Sequence, residues 1–176
     1  MAQITIFGLP GTGTTTLGKQ LAEKLGYSFI SSGNIFRAKA NELGLSLYEF
    51  DALCSRDDSY DKALDAEIEK IGNSQNNFVF ESRLAWHFIP TSFKVKIVCD
   101  DTLRITRVAQ RDSMSLAEAE EKTRAREKAG PLRYQKYYGI TEFAPDKAFD
   151  LILDSTSTTT EQLIEEILQK TSKFVA

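Results

Sequence analysis

Short apolar runs alternate with amphipathic stretches from one end of this chain to the other. Ile4, Thr5, Ile6 and Phe7 predict a buried strand, closed by Gly8-Leu9-Pro10-Gly11. Leu17, Leu21 and Leu25 then recur every four residues and predict one face of a helix that stops at Gly26. Tyr27 to Ile30 predicts a second strand, and Asn34 is the candidate N-cap of a helix reaching about Leu43. Ser46-Leu47-Tyr48-Glu49 has the S-x-x-E form of a capping box, in which serine and glutamate satisfy each other's exposed backbone N–H groups. A helix over about 61–71 follows, ending at Gly72.

The second half repeats the alternation. Strands are expected at 78–80, 95–99 and 149–153, and helices over 101–111 and about 160–170. Ser115-Leu116-Ala117-Glu118 forms another capping-box pattern, opening a long charged helix that Gly130-Pro131 is expected to interrupt. Five strands joined by helical crossovers predict an α/β fold, a five-stranded parallel sheet with helices on both faces. In such sheets ligands bind outside the carboxyl ends of the strands. There is no internal repeat and no linker, so residues 1–176 are expected to form one domain.

Composition narrows the class. Of 176 residues, 41% are hydrophobic and 27% charged, the balance of a folded globular chain rather than a disordered or collagen-like one. Cys54 and Cys99 lack CxxC spacing and read as reduced packing thiols. The apolar stretches are too short to span a bilayer, and the first residues lack the basic and apolar regions of a signal peptide. A cytoplasmic protein without a membrane partner is expected. With 22 Lys+Arg against 25 Asp+Glu the net charge is −3, which argues against a nucleic-acid polymer as partner. The arginines are nevertheless uneven: Arg104, Arg107, Arg111, Arg124, Arg126 and Arg133 fall within 30 residues.

The first strand runs into Gly8-Leu9-Pro10-Gly11-Thr12-Gly13-Thr14-Thr15-Thr16 and then directly into a helix. The stretch fits the phosphate-binding pattern G-x-x-x-x-G-K-[ST] at Gly8, Gly13 and Thr15, with Thr14 where lysine is expected. Glycines allow the tight turn that aims successive N–H groups inward at the positive end of a helix. Thr15 is placed to offer its hydroxyl to Mg²⁺. The competing reading is a Gly/Thr-rich turn with no ligand. Thr14 supplies no charge, so a phosphoryl-transfer enzyme built on this loop needs cations from elsewhere, and the arginine cluster is the available source.

With these segments in view, the chain resembles the archaeal-type (short, type 2) cytidylate kinases, whose phosphate loop carries threonine in place of lysine. The resemblance continues through Ser32-Gly33-Asn34-Ile35-Phe36-Arg37, Glu81-Ser82-Arg83-Leu84-Ala85, the arginine repeat from Arg104 to Arg111, and the run from Arg133 to Ile140. It implies a P-loop NTPase fold of adenylate-kinase type, with an acceptor-binding insertion at about 31–65 and a lid at about 112–140. It implies transfer of the ATP γ-phosphate to CMP or dCMP with Mg²⁺, by a monomer acting on small nucleotides. Under it, ATP phosphates lie along Gly8 to Thr16, and Mg²⁺ lies near Thr15. Arg107 and Arg111 cover the ATP side. Ser32, Gly33, Arg37 and Arg83 meet the acceptor, whose phosphate geometry suits guanidinium forks. Arg126, Arg133 and Arg111 stabilise the transferred group, and Glu81 orients metal-bound water.

Some positions depart from the family pattern: Asn34 stands for aspartate, Ser82 for glycine, and Gly130-Pro131-Leu132 for a more acidic stretch. Asn34 and Ser82 keep an adenylate kinase or broader nucleoside monophosphate kinase open as an alternative, and the absent lysine keeps open a non-catalytic nucleotide-binding regulator. No N-K-x-D signature for guanine is present. Read without the resemblance, Arg37 and Arg83 remain open between structural ion pairs and ligand contacts. Arg104 is expected on a solvated helix face beside Asp101, and Arg124 on the surface. His87 is expected to be partly buried and structural. Tyr134, Tyr137 and Tyr138 suit core or lid packing, with base stacking as the alternative.

Overall fold

The computed structural model describes residues 2–175. Its five strands are β1 (Gln3–Gly8), β2 (Ser28–Ser31), β3 (Phe78–Glu81), β4 (Phe93–Val98) and β5 (Leu151–Asp154). They pair in the order β2-β3-β1-β4-β5, every pairing parallel. Helices supply the crossovers: α1 (Thr14–Leu25), α2 (Ser32–Glu42), α3 (Leu47–Cys54), α4 (Ser59–Ser74), α5 (Ala85–Phe88), α6 (Asp101–Asp112), α7 (Leu116–Tyr138) and α8 (Thr160–Val175).

The alternation of side chains along each strand distributes the core to both sheet faces. Ile4, Ile6, Val79, Val95 and Ile97 point to one side and pack with Leu17 and Leu21 of α1 and Leu163 and Ile167 of α8. Phe78 and Phe80, the neighbours of Val79, point to the other and pack with Ile68 and Ile71 of α4 and Ile89. The expected five-stranded parallel sheet with helices on both faces is therefore present. The chain leaves β1 toward β2 and leaves β4 toward β5, on opposite sides, so a crevice opens at the carboxyl ends of the central strands. Among the described residues no helix is long and apolar enough to cross a membrane.

Several local expectations are corrected. The N-cap of α2 is Ser31, whose hydroxyl accepts from the Asn34 N–H, so Asn34 lies inside the first turn. Helix α7 is not interrupted: it runs unbroken through Gly130 and Pro131, from the Ser115 cap to Gly139. Proline removes one helical hydrogen bond and crowds the preceding turn, but ion pairs from Arg126 and Arg133 pin the helix on either side of it. His87 is exposed, with its ring edge-on to Trp86 and Phe88. Arg104 is 2% exposed rather than solvated. The capping box at Ser46 and Glu49 forms as expected. Residues 32–65 fold as α2, α3 and the first part of α4, and α7 fills most of 112–140.

Candidate active site

Every sequence-predicted site residue except Thr12 lines one cavity of about 350 Å³ at the carboxyl ends of β1 and β3. Thr12 is buried behind it, its hydroxyl bonded to the Leu9 carbonyl at 2.8 Å and its own carbonyl held by Ser155 Oγ at 2.8 Å. The loop from Gly8 to Gly13 forms the floor. Gly11 and Gly13 have φ of +87° and +89°, a conformation that side chains disfavour, and Gly11 lies so close against the Arg104 carbonyl that a Cβ has no room. Helix α1 then begins with no side-chain cap and no acidic residue in its first turn. Its first N–H groups lack intrahelical acceptors, so this end of the cavity attracts an anion.

Glu81, at the end of β3, ties the floor to the next wall. Its Oε1 accepts from Thr14 Oγ1 at 2.8 Å and Thr15 Oγ1 at 3.0 Å, and its Oε2 from Ser31 Oγ at 2.5 Å. The parallel register sets Ile6 beside Glu81 and Glu81 beside Ser31, which is why three distant segments meet on one carboxylate.

The cations divide by what already holds them. Arg107 reaches the Gly11 carbonyl at 3.4 Å, and Arg111 is forked against Asp112 by bonds of 2.7 and 2.8 Å that hold its charge firmly. Arg37 donates to Asn34 Oδ1 at 2.9 Å; burial and the nearby Arg111 lower its pKa. The Arg83 guanidinium makes no hydrogen bond among the described residues. Arg126 Nε is buried 3.5 Å from Asp51 Oδ1, an ion-pair contact, and makes no hydrogen bond among the described residues. Burial and the neighbouring Arg83 push its pKa down to about 10. A buried unpaired donor beside a second cation is costly unless an anion joins them.

Arg133 is engaged throughout. Its Nε donates to Asp61 Oδ2 at 2.8 Å, Nη2 to Asp51 Oδ1 at 3.2 Å and Nη1 to Ser55 Oγ at 2.9 Å. Burial opposes its charge, but Asp51 and Asp61 outweigh that and raise its pKa. Arg104 is likewise held, by Asp101 at 2.5 Å, Glu127 at 2.5 Å and the Pro10 carbonyl at 3.4 Å, so it braces the loop from below. Arg124 is exposed and pairs with Asp101 and Glu127.

Sequence reasoning missed the acidic wall. Asp51, Asp61 and Asp65 are 5%, 6% and 6% exposed and line the same cavity. The four-residue spacing of Asp61 and Asp65 on one face of α4 was the available signal. Tyr134 and Tyr138 do pack, Tyr134 with Leu84 and Ile140, and Tyr138 with Phe88. Ser82 is buried, its hydroxyl accepting from the Leu84 N–H at 3.2 Å. Among the described residues no cluster of three His, Cys, Asp or Glu side chains forms a metal-ligand set.

Known proteins agree with this architecture. The model of the cytidylate kinase-like family matches residues 3–157. The chain is 42% identical to the cytidylate kinase of Methanosarcina mazei over 157 residues, 87% of each chain. It is 36% identical to that of Methanobrevibacter smithii over 165 residues, 94% of this chain and 95% of that one. Among solved structures, the shikimate kinase of Bacteroides thetaiotaomicron superposes with a TM-score of 0.63 at 16% identity, covering 99% of this chain and 98% of that one. A gluconokinase of Sinorhizobium meliloti gives 0.61 at 15% identity, covering 99% and 93%. At such identities these two share the fold alone. The threonine-bearing loop, the arginine-lined cavity above it and relatives matched over most of their length converge: this chain belongs to the cytidylate kinase-like family.

Proposed function

We propose that this protein transfers the γ-phosphate of ATP to CMP or dCMP. The observation that carries the reading is the cavity itself. An anion-attracting helix start and six arginines, Arg37, Arg83, Arg107, Arg111, Arg126 and Arg133, converge on one space beside a carboxylate-anchored loop.

The ATP phosphates rest on the loop from Gly8 to Thr16, flanked by Arg107 and Arg111. The acceptor phosphate takes the free donors of Arg83 and Arg126, with Arg37 completing the grip. An acceptor phosphate oxygen attacks the γ-phosphorus while the bond to the bridging oxygen breaks, and ADP leaves with that electron pair. Such a transfer asks the protein for positioning and charge stabilisation rather than a nucleophile. Arg133 serves by holding α7 against α3 and α4, which keeps Arg126 in place.

The donors suit a hard divalent cation. Thr15 Oγ1 and Glu81 Oε1 are oxygens 3.0 Å apart at the loop, and Mg²⁺ in phosphoryl-transfer sites needs few protein ligands because phosphates and waters supply the rest. Thr15 would hold it directly and Glu81 through water. Bound there, Mg²⁺ supplies charge neutralisation at the β- and γ-phosphates.

The lysine's place is taken by arginines reaching in from α6 and α7. We read 31–65 as the acceptor-binding segment and 112–140 as the lid. The free thiols Cys54 and Cys99 suit the reducing cytoplasm, and we read the protein as a monomer acting on small nucleotides. A coupled assay with ATP, Mg²⁺ and CMP, dCMP, UMP or AMP tests the reading. The highest kcat/KM with CMP or dCMP is expected. Fastest turnover with AMP, or binding without transfer, overturns it.

A further inference from the structure

The acceptor end of the cavity continues past the free arginines along α4. Leu64 and Ile68 of that helix, Leu84 and Tyr134 give it apolar walls, and Asp65 stands between Leu64 and Ile68 on the same face. The three acids of this wall differ in what they already hold. Asp51 and Asp61 pair with Arg133, and Asp51 also with Arg126. Asp65 has no ion pair among the described residues. Its Oδ2 accepts from Tyr138 Oη at 2.6 Å, and its Oδ1 accepts no hydrogen bond among the described residues. A carboxylate 6% exposed and half-satisfied is costly to retain.

We propose that Asp65 reads the exocyclic amine of the acceptor's cytosine and so separates CMP from UMP. The inference rests on the preceding reading of the acceptor and deepens it. A carboxylate is an acceptor only. Cytosine presents a two-proton donor at N4, which Oδ1 can take in an otherwise apolar pocket. Uracil presents a carbonyl oxygen at the same place, so two acceptors would face each other with no proton between them. Buried sites built to bond one polar group reject the analogue that lacks it far more strongly than an apolar pocket can.

The surroundings of Asp65 add a pH signature. The groups facing it are Tyr138, Tyr134 and Arg133 from α7 and Asp61 from its own helix. Burial pushes its carboxyl up to about 7, with Asp61 adding to the rise and Tyr138 and Arg133 opposing it. Once protonated, Asp65 can donate to the uracil oxygen, and its preference for cytosine weakens.

The test is kcat/KM for CMP and for UMP, with ATP and Mg²⁺, between pH 6 and 8.5 for the wild type, D65N and Y138F. The phosphates of both nucleotides titrate alike, so their ratio isolates the base. At pH 8, D65N is expected to lower the CMP-to-UMP ratio by about tenfold or more, because an amide can donate to the uracil oxygen. The wild-type ratio is expected to fall as pH drops through about 7. Y138F keeps the carboxyl but removes a bond that favours its charged form, so its profile should shift to higher pH. Equal losses on both substrates in D65N, with the ratio unmoved, assign Asp65 a structural role and overturn the proposal. If D65N does not fold, a Y138F profile identical to the wild type overturns it. Should the wild type transfer to neither pyrimidine nucleotide, the reading of the acceptor falls and takes this proposal with it. A CMP-selective wild type with an unmoved D65N removes only the proposal.

Discussion

Thr14 Oγ1 donates a 2.8 Å hydrogen bond to Glu81 Oε1, at the position where phosphate-binding loops of this pattern carry lysine. The side chain that would elsewhere reach over the phosphates is here turned back to the sheet. Glu81 thereby gathers Thr14, Thr15 and Ser31, so the start of α1 is tied to the sheet through a carboxylate.

Glu81→Gln puts an N–H₂ group where at least one of these hydroxyls now donates. A hydrogen bond to a charged group contributes about 1.5–3 kcal/mol. The variant is expected to lose about 10–100-fold in kcat/KM for ATP, with a lower Tm. Unchanged kinetics would show that the loop holds its form without Glu81.

Arg126 and Arg133 should separate when each is changed to Met. Removing Arg133 leaves Asp51 and Asp61 buried without their principal partner, a change that costs about 3–5 kcal/mol. Asp61→Asn in the same chain should restore part of the loss. Arg126 Nε faces Asp51 Oδ1 at 3.5 Å without a hydrogen bond, so its removal should cost clearly less stability than that of Arg133. The same change should raise KM for CMP and lower kcat. Denaturant unfolding and steady-state kinetics on both variants check the split.

Asp65 makes stability depend on pH. Its folded-state pKa is raised from the usual 3.8 to about 7, chiefly by burial. The contribution of the neutral form is therefore complete below about pH 4 and is lost as pH rises through about 7. Asp65→Asn removes the buried charge at high pH. Its Tm relative to wild type should be greater at pH 8.5 than at pH 5, by roughly 2–4 °C for each kcal/mol. A pH-independent difference would refute the assignment.

Pro131→Ala should stabilise the protein. Helix α7 carries Pro131 in its interior, where proline costs about 3 kcal/mol relative to a normal residue. Alanine also frees the unfolded chain, which offsets part of that, so a gain of about 1–2 kcal/mol in unfolding free energy is expected. A loss in thermal unfolding would mean that Pro131 itself is needed for packing.

Strand and helix order was legible in the sequence because hydrophobic periodicity is local. The alternation at Phe78, Val79 and Phe80, the four-residue repeat of Leu17, Leu21 and Leu25, and the Ser46–Glu49 box all record what neighbouring residues do to one another. The phosphate loop was legible for the same reason, since its glycines and threonines are contiguous. These patterns also carried the arginines as candidates.

Which arginines are available to a ligand was decided only by the tertiary structure. Arg104 and Arg133 are both buried, and each is held by acids far away in sequence: Glu127 in one case, Asp51 and Asp61 in the other. The continuity of α7 across Gly130 and Pro131 was settled in the same way, by long-range ion pairs outweighing a local helix breaker. Asp65 acquired its Tyr138 bond and shifted pKa only when α4 met α7. A charge in a sequence has no fixed strength, because burial and partner set its energy, and both are properties of the fold.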